Sequence, residues 1–279
     1  MFSLNCRGRI LSLDHPKIMG VLNLTPDSFS DGGKYQGLHA ALKHTENMLE
    51  AGADIIDIGG YSSRPFADNI SAEEELRRIE TITEEILHRF PEAFVSIDTF
   101  RSFVAQRMLE KGVHIINDIS SGNIDENMLE TVSNFQAPYI AMHMQGTPQN
   151  MQTNPQYKNV GDEVWDFFVE KIREIRAKGI KDIILDPGFG FGKKLLHNYQ
   201  LLGSLSRFRS FELPILVGIS RKSMLYKLLD TTPHETREAA AALHFQALTY
   251  GAAIIRVHEV EGARQVVDLF RYMKSNGII

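Results

Sequence analysis

Eight short apolar runs recur along the 279 residues, and each stops at a polar residue or glycine. They are Ile18–Leu22, Ile55–Ile58, Phe94–Ile97, Ile115–Ile116, Tyr139–Met142, Ile183–Leu185, Ile215–Val217 and Ile254–Val257. Apolar residues on consecutive positions suit parallel strands that are covered on both faces. Helix-length segments separate the runs. Residues 72–90, for example, carry Leu76, Ile79, Ile82, Ile86 and Leu87 at three- and four-residue spacing behind an acidic first turn. Ser71, three residues before Glu74, is a capping-box candidate for that helix. Eight strand–helix repeats favour a (β/α)8 TIM barrel over an open doubly wound sheet, which usually has fewer strands. The length agrees, because barrels of about 250 residues fold as one domain. No Pro/Ser-rich linker divides the chain, so residues 1–279 read as a single domain. Residues 1–17 form a short N-terminal extension and a candidate hairpin over the barrel floor.

The residues after the runs carry the functional signal. Asn23 follows the first run, Gly59 to Pro65 the second, Asp98-Thr99 the third and Asn117-Asp118 the fourth. His143 to Gly146 follows the fifth, Asp186-Pro187-Gly188 the sixth and Gly218 to Ser223 the seventh, while Arg256 and His258 sit at the end of the eighth. In a barrel these positions converge on the C-terminal face, where active sites lie. Any one of them reads equally well as a helix cap or a turn former. Taken together they do not, because Lys222, Arg256 and His258 are not capping residues. Asp98, Asn117 and Asp186 offer two carboxylates and an amide that suit the donor edge of a flat heterocycle such as an aminopyrimidinone. The same acids could instead pair with Arg256 or Lys222 in a buried network. Lys222, Arg256, Arg64 and His258 make an anion site. Asn23, with Asp27 and Asp31 in its loop, could hold Mg²⁺, an oxygen-seeking ion that often binds with a substrate phosphate. Asp186 to Lys193 is Gly-rich but is neither a dinucleotide fingerprint nor a phosphate-binding P-loop. His143, between two methionines, reads as a packed residue before it reads as a ligand.

Composition excludes some classes. A net charge of −5 argues against a nucleic-acid partner. No apolar stretch approaches the roughly 20 residues that span a bilayer, and the N-terminus lacks the pattern of a secretory signal. Cys6 is the sole cysteine, which fits a reducing cytoplasm.

The segments Met19–Gly33, Ile58–Pro65, Ser96–Thr99, Ile116–Ser120, Met142–Pro148, Asp186–Lys193, Gly218–Ser223 and Ile255–His258 run in order through the chain. Together they resemble the dihydropteroate synthases of the folate pathway. The resemblance implies condensation of 6-hydroxymethyl-7,8-dihydropterin diphosphate with 4-aminobenzoate, giving 7,8-dihydropteroate and pyrophosphate. It implies that Asp98, Asn117 and Asp186 read the pterin edge, with Met142 on the ring face. Lys222 would lie between the pterin and the arylamine. Asn23, Ser63, Arg256 and His258 would hold the diphosphate, with Mg²⁺ at Asn23. Arg64, Pro65, Phe191 and Ser223 would surround 4-aminobenzoate. Lys222, Asp98, Arg256 and His258 would carry the chemistry, in a homodimer that is a sulfonamide target.

Two positions depart from the family pattern. Ser62-Ser63-Arg64-Pro65 stands where Ser-Thr-Arg-Pro is usual, and Phe66 where glycine is frequent. Ser63 keeps the hydroxyl. Phe66 resists backbone angles open to glycine and is expected to reshape the arylamine entrance. The rival readings are a pterin-binding methyltransferase using methyltetrahydrofolate and a non-catalytic pterin-binding paralogue. The Thr25–Asp31 and Ser220–Ser223 segments suit a diphosphate and an arylamine better than the first. The presence of Lys222, Arg256 and Asn23 argues against the second.

Overall fold

The apolar runs form eight parallel strands, described in a computed structural model that covers residues 2–24, 33–62 and 70–279. A preceding hairpin pairs β1 (Ser3–Cys6) with β2 (Arg9–Ser12). The barrel strands are β3 (Lys17–Asn23), β4 (Ile55–Gly59), β5 (Phe94–Asp98), β6 (Ile115–Asp118), β7 (Tyr139–Met142), β8 (Ile183–Asp186), β9 (Leu216–Val217) and β10 (Ile254–Val257). Hydrogen bonding orders them β8-β7-β6-β5-β4-β3-β10-β9. A parallel bridge from Leu185 to Ile215, with Leu185 N–H donating to the Pro214 carbonyl at 2.9 Å, joins β8 to the run that becomes β9. That contact brings the two outer strands of the sheet together, and the chain is a (β/α)8 barrel. Helices α1 (Gly33–Glu50), α2 (Ala72–Arg89), α3 (Ser102–Glu110), α4 (Met128–Phe135), α5 (Val160–Ala177), α6 (Leu195–Gly203), α7 (Ser223–Tyr226), α8 (Arg237–Thr249) and α9 (Val260–Ser275) follow the strands. Among the described residues no helix is long and apolar enough to cross a membrane.

Alternation along each strand sorts the core into two compartments. Ile18, Ile56, Ile58, Val95, Ile97, Ile116, Leu185, Val217 and Ile255 belong to the large apolar cluster that also contains the buried helix faces. Met19, Ile55, Ile115, Ile140, Ile184, Leu216 and Ile254 belong to a separate cluster at the floor, which the hairpin closes with Leu4, Cys6, Leu11 and Leu13. Cys6 is fully buried there, and burial together with Asp182 raises its thiol pKa to about 12. The hairpin turn is Arg7-Gly8, both at positive φ.

The strands run further than the apolar runs, because polar residues at their ends continue the alternation. Asn23, Asp98, Asn117 and Asp186 are strand residues here. Ser71 caps α2 by accepting from Glu74 N–H at 3.2 Å. The apolar segment Met224–Leu229 does not form one helix. α7 stops at Tyr226, and Leu228 and Leu229 are exposed.

Leu11 plugs the floor at the end of the barrel opposite the catalytic rim. Leu11→Ala is expected to cost about 2–4 kcal/mol of stability, read by urea denaturation. Turnover at saturating substrate should stay unchanged in the folded fraction; a parallel loss of turnover would tie the floor to the mouth.

Candidate active site

Asp57 lies in the middle of β4, fully buried, with apolar neighbours on the same strand. Its Oδ2 accepts from Arg256 Nε on β10 at 2.6 Å and from Asn117 Nδ2 on β6 at 3.1 Å. Arg256 Nη2 reaches Asp98 Oδ2 on β5 at 2.7 Å. One guanidinium thus bridges two carboxylates from neighbouring strands, and the pairing of Asp98 with Arg256 foreseen as a buried network is present. A carboxylate only accepts, so Asn117 must present its amide nitrogen to Asp57, which leaves Oδ1 as its acceptor. Asp57 Oδ1 and Ser96 Oγ are buried without hydrogen-bond partners among the described residues.

Charge states follow from this packing. Burial raises Asp98 to about 7; Arg256 opposes the rise, while Asp57, Glu75 and Asp118 add to it. Burial alone would pull Arg256 down, but Asp57 and Asp98 more than offset it and keep the guanidinium charged. Asp186 is raised by burial, with Lys222 and the Gly188 N–H opposing. Lys222 is lowered by burial to about 8, with Asp186 opposing and Arg256 reinforcing the shift.

Lys222 sits beside this network because two glycines leave room for its stem. A Cβ on Gly190 would lie 3.1 Å from Lys222 Cδ, and one on Gly218 would lie 3.8 Å from Nζ and 3.7 Å from Arg256 Cβ. Lys222 Nζ donates to the Phe189 carbonyl and stands 4.7 Å from the centre of the Phe191 ring. Phe189 is fully buried in the main core. Phe191 instead packs, with Tyr61 and Met144, against the buried Met142, Phe100 and Ile119. That cluster gives the mouth an apolar wall beside its charges. His143 is buried behind it.

At the opposite side, the missing side chain of Gly59 leaves space between Asn23 and Asp98. A Cβ there would be 3.5 Å from both Asn23 Oδ1 and Asp98 Cβ. His258 is held by Ser220, whose Oγ lies 3.1 Å from Nδ1 and 3.3 Å from the His258 backbone nitrogen. Ser220 donates onward to Glu259 at 3.1 Å, and Glu259 pairs with Arg221.

The structure therefore brings Asp98, Asn117, Asp186, Lys222, Arg256, Met142 and Phe191 to one mouth. Asn23 and His258 stand at its rim, at the ends of β3 and β10. Ser223 opens α7 directly after Lys222. Ser63, Arg64, Pro65 and Phe66, and the loop with Asp27 and Asp31, lie outside the described residues. The sequence reading missed Asp57. Its signal was a charged residue inside the apolar run Ile55–Ile58, which only a compensating cation makes tolerable. It also missed Ser220 and Glu259 as the support of His258.

Residues 19–258 match the family described as pterin binding enzyme. The dihydropteroate synthase of Escherichia coli (strain K12) is 45% identical over 271 residues, covering 96% of this chain and 94% of the relative. The chain belongs to the dihydropteroate synthases. A solved dihydropteroate synthase of Yersinia pestis in a sulfonamide drug complex is 43% identical, with a TM-score of 0.92 over 98% of this chain and all of that one. A solved dihydropteroate synthase from Xanthomonas albilineans, in complex with 7,8-dihydropteroate, is 34% identical with a TM-score of 0.88, covering 98% of this chain and 99% of that one. Membership in the dihydropteroate synthases makes the chain a transferase and sets aside the methyltransferase and non-catalytic readings.

A raised Asp98 has a measurable consequence. Between its ordinary value of 3.8 and about 7 the folded state binds more protons than the unfolded one, so stability falls as pH rises through that window. Asp98→Asn removes this dependence. Urea denaturation from pH 4 to pH 7 should show the variant gaining on the native sequence as pH rises. A pH-independent difference would exclude proton uptake at Asp98.

Proposed function

We propose that the chain condenses (7,8-dihydropterin-6-yl)methyl diphosphate with 4-aminobenzoate, releasing 7,8-dihydropteroate and pyrophosphate. The observation that carries this reading is the ring of Asp98, Asn117 and Asp186 around a mouth that also holds Arg256, Lys222 and the Phe191 wall. Asp98, Asp186 and the Asn117 amide read the pterin edge, and Met142 lies against the ring. Arg256, His258, Asn23 and Ser63 take the diphosphate, while Phe191, Ser223, Arg64 and Pro65 border the arylamine. The chain acts as one pterin-binding domain whose N-terminal extension is the floor hairpin. It works as a homodimer on small molecules in the cytoplasm, a setting that suits its lone unpaired thiol.

In this reaction the bond between the pterin methylene carbon and the diphosphate oxygen breaks, and its electron pair leaves with pyrophosphate. The arylamine nitrogen then attacks the methylene carbon and gives up a proton. Negative charge on the departing oxygen is met by Arg256 and His258, and positive charge spreading into the pterin is met by Asp98. The arylamine is itself the nucleophile, so the mouth needs no activated serine or cysteine. Lys222, between Asp186 and the Phe191 ring, orients both reactants.

The donor set bears on the metal. No group of three or more His, Cys, Asp or Glu side chains able to hold a metal occurs among the described residues. Asn23 offers one neutral oxygen at the rim. That fits Mg²⁺ arriving with a diphosphate, since this ion keeps several waters and binds through few protein oxygens plus phosphates. Held by Asn23 and the diphosphate, it would supply charge neutralisation of the leaving group.

Purified protein with Mg²⁺, the pterin diphosphate and 4-aminobenzoate is expected to release pyrophosphate and form dihydropteroate in equal amounts. Pyrophosphate released without coupling would refute the condensation. Asn23→Ala should raise the Mg²⁺ requirement and lower kcat by about 10-fold or more, with pterin affinity retained. An equal loss of pterin affinity, measured calorimetrically, would contradict the placement of Asn23.

A further inference from the structure

Lys193 ends the glycine-rich segment after β8 and folds back beneath it, with 3% of its surface exposed. Its Nζ contacts the carbonyls of Gly188 at 2.9 Å, Phe191 at 3.0 Å and His143 at 3.3 Å, and His143 Nδ1 at 2.9 Å. Burial pulls its pKa well below the usual lysine value, against the pull of Asp186. A lysine buried at such cost needs acceptors placed for it, and here they come from two strand-end segments. The segments also press together directly. A Cβ at Gly188 would fall 1.9 Å from the His143 carbonyl oxygen, and one at Gly192 would fall 2.6 Å from that of Gln145. Both glycines have positive φ.

The carbonyls of this segment are occupied one after another. Gly188 and Phe191 accept from Lys193, Phe189 from Lys222, Gly190 from Gln152 and Gly192 from Tyr157. Five consecutive acceptors are thus fixed by side chains, two of them by Lys193. The two residues this holds in place are those that face the site, namely the Phe191 ring and, through the Phe189 carbonyl, Lys222.

We propose that Lys193 is a positioning residue for the arylamine half of the reaction, clamping the Gly188–Gly192 segment to the end of β7 so that Phe191 and Lys222 are set before substrate arrives. The inference rests on the placement of Phe191 beside the arylamine and of Lys222 between the two reactants under the proposed function; without the clamp Lys222 keeps Asp186 as its charge partner, so the pterin side stays held. Lys193 touches no reactant itself. Its effect is a pre-organised wall, and loss of the clamp should weaken selection of one substrate and leave the other.

Steady-state kinetics of Lys193→Met, which keeps the stem and removes the donors, tests this. KM for 4-aminobenzoate should rise about 10-fold or more, while KM for the pterin diphosphate stays within about twofold. A role in folding alone would move both constants together or lower only the thermal midpoint, and either result overturns the inference. Lys193→Gln, which retains an N–H donor, should show the same split at smaller size and decides the matter by the same criteria if the Met variant does not fold. The Lys193→Met/Phe191→Leu double variant should lose less than the two single changes combined, because both act through one wall. Additive losses would overturn the clamp. Phe191→Leu without effect on 4-aminobenzoate would bring down the arylamine placement and this inference with it. An effect of Phe191→Leu beside a silent Lys193→Met would bring down this inference alone.

Discussion

Arg256 holds the catalytic end of the barrel together. Three strands bring Asp57, Asp98 and Asn117 together, and the fully buried Asp57 cannot be left uncompensated there. A guanidinium on a fourth strand pairs with both acids through its planar fork, which a lysine at the same place would not. Without it, two neighbouring carboxylates, one fully buried, would face each other and take up protons. The geometry of the neighbouring polar groups follows. Asn117 is turned by Asp57, Asp98 is aimed by Arg256, and Lys222 lies where Gly218 and Gly190 leave room beside Arg256 and the Phe191 wall.

The charge balance of this ring suits its proposed chemistry. Asp57, Asp98 and Asp186 face Arg256 and Lys222, so the ring holds one acid more than base, and the rise in Asp98 relieves that excess. A heterocycle that brings N–H donors, and that gains positive character as its leaving group departs, supplies what the ring lacks. Under the proposed function the leaving group would meet Asn23 and His258 at the rim.

Much of this was legible in the sequence, for a physical reason. Parallel strands covered on both faces must be apolar on consecutive positions, so eight runs announced eight strands. Their polar endings mark the face where the candidate site lies. Asn23, Asp98, Asn117 and Asp186 proved to be the last inward positions of their strands, which shifted the strand boundaries by a residue or two. Asp57 stayed hidden because its meaning depends on Arg256, 199 residues away along the chain. The support of His258 by Ser220 and Glu259 stayed hidden for a similar reason, since Ser220 meets Glu259 across 39 residues of chain. Lys193 stood at the end of a visible motif, but its partners are mostly backbone carbonyls, which a sequence does not distinguish from one another. α7 is short because solvent, and not the core, receives Leu228 and Leu229.

The floor hairpin has a practical side. Cys6 is the chain's only sulfhydryl, and it is sealed under the barrel with its ionisation pushed far above neutrality. Thiolate, not thiol, reacts with alkylating reagents, so the folded protein is expected to be silent toward maleimides at neutral pH. A single cysteine introduced on the catalytic rim would then be the sole attachment point for a fluorophore or spin label. The movements of the rim could be followed in the native background, with no need to remove the natural residue.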